Sequence, residues 1–200
     1  RYFLLREVTF GQDGSYSPEA IVTKSNAELA NSFGNLAQRV MSFIAKNCDG
    51  KVDATAPVLP ADNALRAKVG NACREELPEA FRRLAFSNGL DAWMQAVFAC
   101  NAYVDEQAPW ALRKTDPERM ARVLAILCAC IRDLAIAVLP VIPSASAKIL
   151  DALCIPADQR DYAALAQDIA VVSRPLLTAI RDPDILAGVD DALAGRETAN

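Results

Sequence analysis

The chain of 200 residues carries 21 Lys and Arg against 25 Asp and Glu, no histidine, and 52% apolar side chains. That length and apolar fraction suit one folded domain, with or without an appendage, and exclude a disordered or low-complexity polymer. The missing histidine removes Ser-His-Asp triads, Cys-His dyads and HExxH zinc sites, and a formal charge of −4 argues against sequence-independent nucleic-acid binding, which runs on a basic surplus.

The first stretch, Arg1-Tyr-Phe-Leu-Leu-Arg-Glu-Val8, is strongly apolar and begins abruptly, without an initiator Met or a cap, which reads as the cut end of a longer polypeptide. Asp13-Gly-Ser15 is turn chemistry. Ser17-Pro18-Glu19 then supplies an N-cap, a proline at the first helical position and an acid in the first turn. Leu29, Phe33, Leu36, Val40, Phe43 and Ile44 recur at steps of three and four, so the spacing predicts an amphipathic helix running to Asn47 and stopped by Asp49-Gly50. Residues 51–61, with two prolines and no period, read as a loop. Asp62 is expected to cap a helix through Leu65, Val69 and Ala72 that ends before Pro78. The next pattern, through Phe81, Leu84, Ala85, Trp93, Val97, Cys100 and Val104, runs to about Glu106, and Asn88-Gly89 within it marks either a kink or a break.

Thr115-Asp-Pro-Glu118 repeats the helix-start signature. The helix it opens is apolar over a wide arc (Met120, Val123, Leu124, Leu127, Ile131, Leu134, Val138), which predicts a central element packed on several sides and ended before Pro140. Pro140 and Pro143 force a corner, and Ser144 is expected to cap a short helix to about Leu153. A loop over 155–161, a short strand at 169–172 and a weak helix over 184–193 complete the chain. Alternating strand patterns are almost absent, so the fold class is all-α: an antiparallel helical bundle with short and medium connections.

The six cysteines lie mostly in aliphatic runs, and Cys128 and Cys130 point to different faces of one helix, so they read as reduced, mostly buried thiols. Residues 123–142 are interrupted by Arg132 and Asp133, and no apolar run reaches the length of a membrane span. The expected location is the cytoplasm, with no membrane and no DNA among the partners.

Three places carry candidate function. Asn31, Asn35 and Arg39 fall on one edge of the first long helix, roughly 90–170° from its apolar stripe. They form either a solvated face or a hydrogen-bonding surface. Asn101-Ala-Tyr103-Val-Asp105-Glu-Gln-Ala-Pro109-Trp110 ends a helix in a proline–tryptophan corner. Such a corner is either a plug at the edge of the core or an aromatic platform of the kind that stacks unpaired RNA bases beside amides and guanidiniums. Arg113, Lys114, Arg119 and Arg122, with Arg82-Arg83, are either solvated charges or phosphate contacts. No glycine-rich phosphate loop occurs, and the acidic residues show no dyad or metal-cage spacing, so no catalytic or metal-ligating residue is assigned.

Phe10-Gly-Gln-Asp-Gly-Ser-Tyr-Ser17, Glu28-Leu-Ala-Asn-Ser-Phe-Gly-Asn-Leu-Ala-Gln-Arg39, Asn101-Ala-Tyr-Val-Asp-Glu-Gln-Ala-Pro-Trp-Ala-Leu-Arg-Lys114 and Leu139-Pro-Val-Ile-Pro-Ser144 follow one another in an order that resembles bacterial methionyl-tRNA synthetases. The resemblance covers roughly residues 1–156. It implies a class I ligase that joins methionine to its tRNA using ATP. The catalytic signatures of that family are absent here, so ATP and methionine would bind a catalytic domain upstream of residue 1, and no cofactor is expected in these residues. By the same resemblance, 1–16 would be the tail of the catalytic region, 17–156 the α-helical anticodon-binding domain, and 157–200 an extension of uncertain role. Asn35, Arg39 and Trp110, with Pro109 shaping the corner, would contact the CAU anticodon of tRNA(Met), and Arg113 and Lys114 its phosphates. The expected partners are therefore the tRNA(Met) anticodon stem-loop and the protein's own catalytic domain. Alternatives are the same bundle from a cysteinyl, leucyl, isoleucyl or valyl synthetase, or a non-catalytic helical module that binds another protein.

Overall fold

Residues 1–14 and 17–166 are described by the computed structural model, and among them every regular element is a helix. The strand expected at 169–172 and the helix at 184–193 lie outside the described residues.

The first helix, α1 (Tyr2–Glu7), packs on the bundle through buried Tyr2 and Phe3. A long helical run follows in three pieces: α2 (Pro18–Lys24), a π-helical segment Ser25–Gly34, and α3 (Asn35–Asn47). Ser17 caps it as expected, its hydroxyl accepting from the Ala20 N–H at 3.2 Å. The run stops where Asp49 (φ 50) and Gly50 (φ 71) turn left-handed, the conformation glycine adopts at least cost.

Two expectations about the next stretch are corrected. The helix α4 (Pro60–Asn71) starts before the expected cap. Its N-cap is Leu59, and Asp62 sits inside the first turn, its carboxylate accepting the Leu59 N–H at 2.9 Å. Nor does Pro78 end the helix. A π-helical segment (Ala72–Glu76) widens the turn ahead of it, and α5 (Leu77–Arg82) carries the proline in its first turn, where a missing N–H costs little. The break comes at Leu84 (φ 60), before α6 (Phe86–Gln107). Asn88-Gly89 is neither kink nor break. It lies in the first turn of α6, where a side chain on Gly89 would press to 3.0 Å from the Ala80 Cβ, so the glycine serves close packing of α6 on α5.

The short α7 (Pro109–Thr115) leads into α8 (Pro117–Ala137), capped by Asp116. The expectation of a central helix holds: seventeen of the 21 residues of α8 are buried. It packs against α3, α4, α6, α7, α9 (Pro143–Ala152) and α10 (Tyr162–Ala166). Ser144 does not cap α9, because the N-cap is Ile142, two residues earlier, and the helix starts at Pro143. Trp93 of α6 marks the centre of the core. It is fully buried, meets Phe33 edge-on at 5.1 Å and Tyr2 at 6.3 Å, and donates from Nε1 to the Leu134 carbonyl at 3.0 Å. All six cysteines are free thiols, four of them buried. No described helix is long and apolar enough to cross a membrane.

Candidate nucleic-acid interface

The candidate interface lies where α3 meets the corner between α6 and α7. The backbone reverses at Ala108, whose φ of 42° and ψ of 63° end α6 and begin α7 in one step. Proline then supplies a fixed φ at the first position of α7, and Pro109 is the one buried residue of that helix. Trp110 follows and is 47% exposed. A proline-led turn with so little buried surface puts the indole at the rim, not in the interior.

Arg39 comes from α3, far away in sequence. Its guanidinium carbon lies 5.5 Å from the centre of the Trp110 ring, a cation–π arrangement. Its Nη2 also donates to Asp105 Oδ1 at 2.6 Å, from the last turns of α6. Both contacts are solvent-facing, worth about 0.5–1 kcal/mol each. Stacking of a base on an aromatic ring is worth about 1–3 kcal/mol, so an incoming base can compete for the indole. Beneath the pair opens a pocket of about 140 Å³ whose apolar wall is Val40, Phe43, Val104, Pro109 and Leu124.

The other candidates divide. Asn35 stands one turn before Arg39 on α3, half-buried and outside the lining of the pocket. Asn31 falls in the π-helical segment, so the 100°-per-residue count that aligned it with Asn35 and Arg39 does not run through it. Arg113 and Lys114 are exposed in the last turn of α7, and Arg113 donates to the Asn47 side chain at the end of α3. Arg82 and Arg83 are exposed and pair with Glu79. Arg119 and Arg122 are removed from the set of phosphate candidates because both are buried. Arg122 donates to the Ala56 and Ala54 carbonyls at 2.6 and 2.7 Å, which fixes the 51–59 loop. Asn101 is likewise occupied, donating to Ser32 and Val97 carbonyls.

Behind the corner lies a polar cluster that sequence reasoning missed. Arg119 donates to both oxygens of Asp62 at 2.6 Å, and Tyr103 donates to Asp62 Oδ1 at 2.6 Å. Arg119 Nη2 reaches Gln107 Oε1 at 2.7 Å. Burial pushes the Asp62 carboxyl up, but the Arg119, Tyr103 and Leu59 hydrogen bonds outweigh it and hold the group below the usual carboxylate range. Burial, followed by the Asp62 contact, raises the Tyr103 hydroxyl well above its ordinary value. Asp62 therefore stays ionised and Tyr103 stays protonated at neutral pH. Only the misread cap at Asp62 hinted at this cluster.

A family model described as the anticodon binding domain of methionyl tRNA ligase matches residues 54–187, continuing past Pro156, where the motif resemblance ended. A second, for class I tRNA synthetases of the methionine type, matches residues 1–41. A methionine–tRNA ligase of Brucella suis is 49% identical over 163 residues, covering 82% of this chain and 32% of that protein. One from Mesorhizobium japonicum is 46% identical over 183 residues, covering 90% and 34%. Among solved structures, the free-state Mycobacterium tuberculosis methionyl-tRNA synthetase superimposes with a TM-score of 0.83 at 41% identity, over 91% of this chain and 36% of that one. The chain thus spans about a third of the length of these relatives.

Proposed function

The chain belongs to the methionyl-tRNA synthetase family, within which it corresponds to the anticodon-binding domain, and from that premise we propose that the cleft between Arg39 and Trp110 reads the CAU anticodon of tRNA(Met). The observation that carries the reading is the meeting of a half-exposed indole with a guanidinium from a distant helix, over an open apolar pocket. Trp110 stacks on an unpaired base of the anticodon loop. Arg39, released from Asp105 or sharing it, donates to a base edge, and Asn35 one turn earlier extends the same row of donors along α3. Pro109 sets the angle of the indole. Arg113 and Lys114 lie exposed on the turn beyond and meet the phosphates of the anticodon loop.

The full ligase, cytoplasmic in this reading, joins methionine to the tRNA with ATP. Methionine and ATP bind the part of the ligase that these 200 residues do not span, so the work of this chain is selection of the tRNA. The overall acidic balance fits selection by a few specific contacts better than a broad basic surface. Family membership favours the methionyl anticodon over those of the sister synthetases.

The test is binding of a synthetic RNA stem-loop carrying CAU. Trp110→Ala is expected to weaken it about tenfold or more, with the helical circular-dichroism signal and melting temperature unchanged. Unaltered affinity in the folded variant overturns the reading. Competition by stem-loops with other anticodons completes it: preference for a non-CAU loop indicates a sister specificity, and binding of none indicates a protein-interaction module.

A further inference from the structure

The helix that carries Trp110 lies against α8 through buried Pro109 and half-buried Leu112 and leaves the rest of its surface exposed. Of its seven residues only Pro109 is buried, while Trp110, Ala111, Arg113, Lys114 and Thr115 are all exposed. On that narrow footing its orientation also depends on its two ends. The leading end meets the Arg119 guanidinium, and the trailing end meets only the backbone N–H of the same residue.

At the leading end, Gln107 is the last residue of α6, and its Oε1 accepts from Arg119 Nη2 at 2.7 Å. Directly after it, Ala108 adopts the left-handed conformation that a residue other than glycine holds only when its surroundings impose it. At the trailing end, Asp116 Oδ1 accepts the backbone N–H of the same Arg119 at 3.0 Å, capping α8. The guanidinium is itself immobile, since Asp62 engages it through two parallel hydrogen bonds of 2.6 Å and the Tyr103 hydroxyl abuts it at 3.4 Å. That forked geometry needs a planar guanidinium, which a lysine does not supply.

We propose that Arg119 and Gln107 are positioning residues that clamp the leading end of α7 and so hold Trp110 in register with Arg39 for anticodon reading, an inference that rests on the function proposed above. Neither residue touches RNA. The Arg119 guanidinium acts through Gln107, the Asp116 cap takes the backbone N–H of the same residue, and Asp62 anchors the clamp to α4. A buried ion pair contributes little net stability over an apolar replacement, and here its fixed geometry is the useful product.

Gln107 is the residue to change, because it is half-buried and sits at a helix end, where Gln107→Met keeps the length of the side chain and removes the acceptor. The chain is labelled with 5-fluorotryptophan, so that Trp110 and fully buried Trp93 each give a fluorine resonance, the former assigned with Trp110→Phe. Gln107→Met is expected to shift or broaden the Trp110 resonance, leave that of Trp93 in place, leave the melting temperature nearly unchanged, and weaken CAU stem-loop binding several-fold to tenfold. Gln107→Glu, which retains an oxygen for Arg119, is expected to restore both the resonance and the affinity. An unmoved Trp110 resonance with unchanged affinity overturns the clamp. So does a lowered melting temperature with both resonances in place, which is the signature of a purely structural role. A displaced Trp110 resonance with undiminished affinity upholds the clamp and overturns the anticodon reading on which its purpose rests.

Discussion

The indole of Trp93 lies in the middle of α6 and is fully buried, whereas that of Trp110 lies in the first turn of α7 and is 47% exposed. Trp93 is surrounded by aromatic edges and spends its one polar atom on the Leu134 carbonyl. Trp110 presents one face to a guanidinium, and its Nε1 makes no hydrogen bond to any described residue. The same side chain thus joins four helical segments in one place and stands half-exposed at the rim of an open pocket in the other. What separates them is the backbone: a continuous helix directs Trp93 inward, and the Ala108–Pro109 reversal directs Trp110 outward. The arginines divide in the same way. Arg119 is buried and engaged by carboxylate, amide and hydroxyl, while Arg39 is partly exposed and held by two weak contacts.

This division of labour breaks most visibly at the buried indole. Trp93→Ala removes the hub and is expected to cost about 4 kcal/mol of stability in urea unfolding, with loss of RNA binding only as the folded fraction falls. Asp62→Asn comes next. It leaves the Arg119 charge buried without its counter-charge and is expected to cost about 3 kcal/mol. Its pH dependence gives the sign. The Asp62 carboxyl is held below the ordinary value near 3.8, so its contribution is fully present above that value and is lost as the pH falls below it. Acid unfolding of Asp62→Asn is therefore expected to begin from a lower plateau and to fall less between about pH 4 and the acid limit than that of the parent chain. Trp110→Ala lies at the opposite pole, with a full effect on RNA and none on the fold. The smallest effect sharpens the distinction between base and phosphate recognition. Arg113→Ala with Lys114→Ala is expected to weaken binding of all stem-loops alike, and to make the slope of log affinity against log salt shallower by about 0.7 for each phosphate no longer neutralised, with CAU preference retained.

Much of the molecule is legible along the chain. The apolar positions Leu29, Phe33, Leu36 and Val40, the Ser17 and Asp116 caps and the wide apolar arc of α8 are local patterns, and each is buried or capped as expected even though a π-helical segment interrupts the strict period before Asn35. Local chemistry misleads where tertiary packing overrides it. A proline lacks an N–H and so signals a stop at Pro78, but a widened helical turn absorbs it. An aspartate at the head of a helix signals a surface cap at Asp62, yet its carboxylate serves the interior. Arg119 and Arg122 resemble the surface charges around them because a run of basic residues carries no mark of which ones turn inward.

Most helices, the Ser17 and Asp116 caps and the all-α class follow from the sequence alone, because backbone hydrogen bonding and the amphipathic period act over a few residues. Residue type and motif suffice to single out Asn35, Arg39 and Trp110. That Arg39 meets Trp110 while Asn35 stays outside the pocket, and that Arg119 joins Asp62 to Gln107, is decided only in three dimensions. Such meetings join residues from helices far apart in the chain and depend on how those helices cross, which no local period encodes.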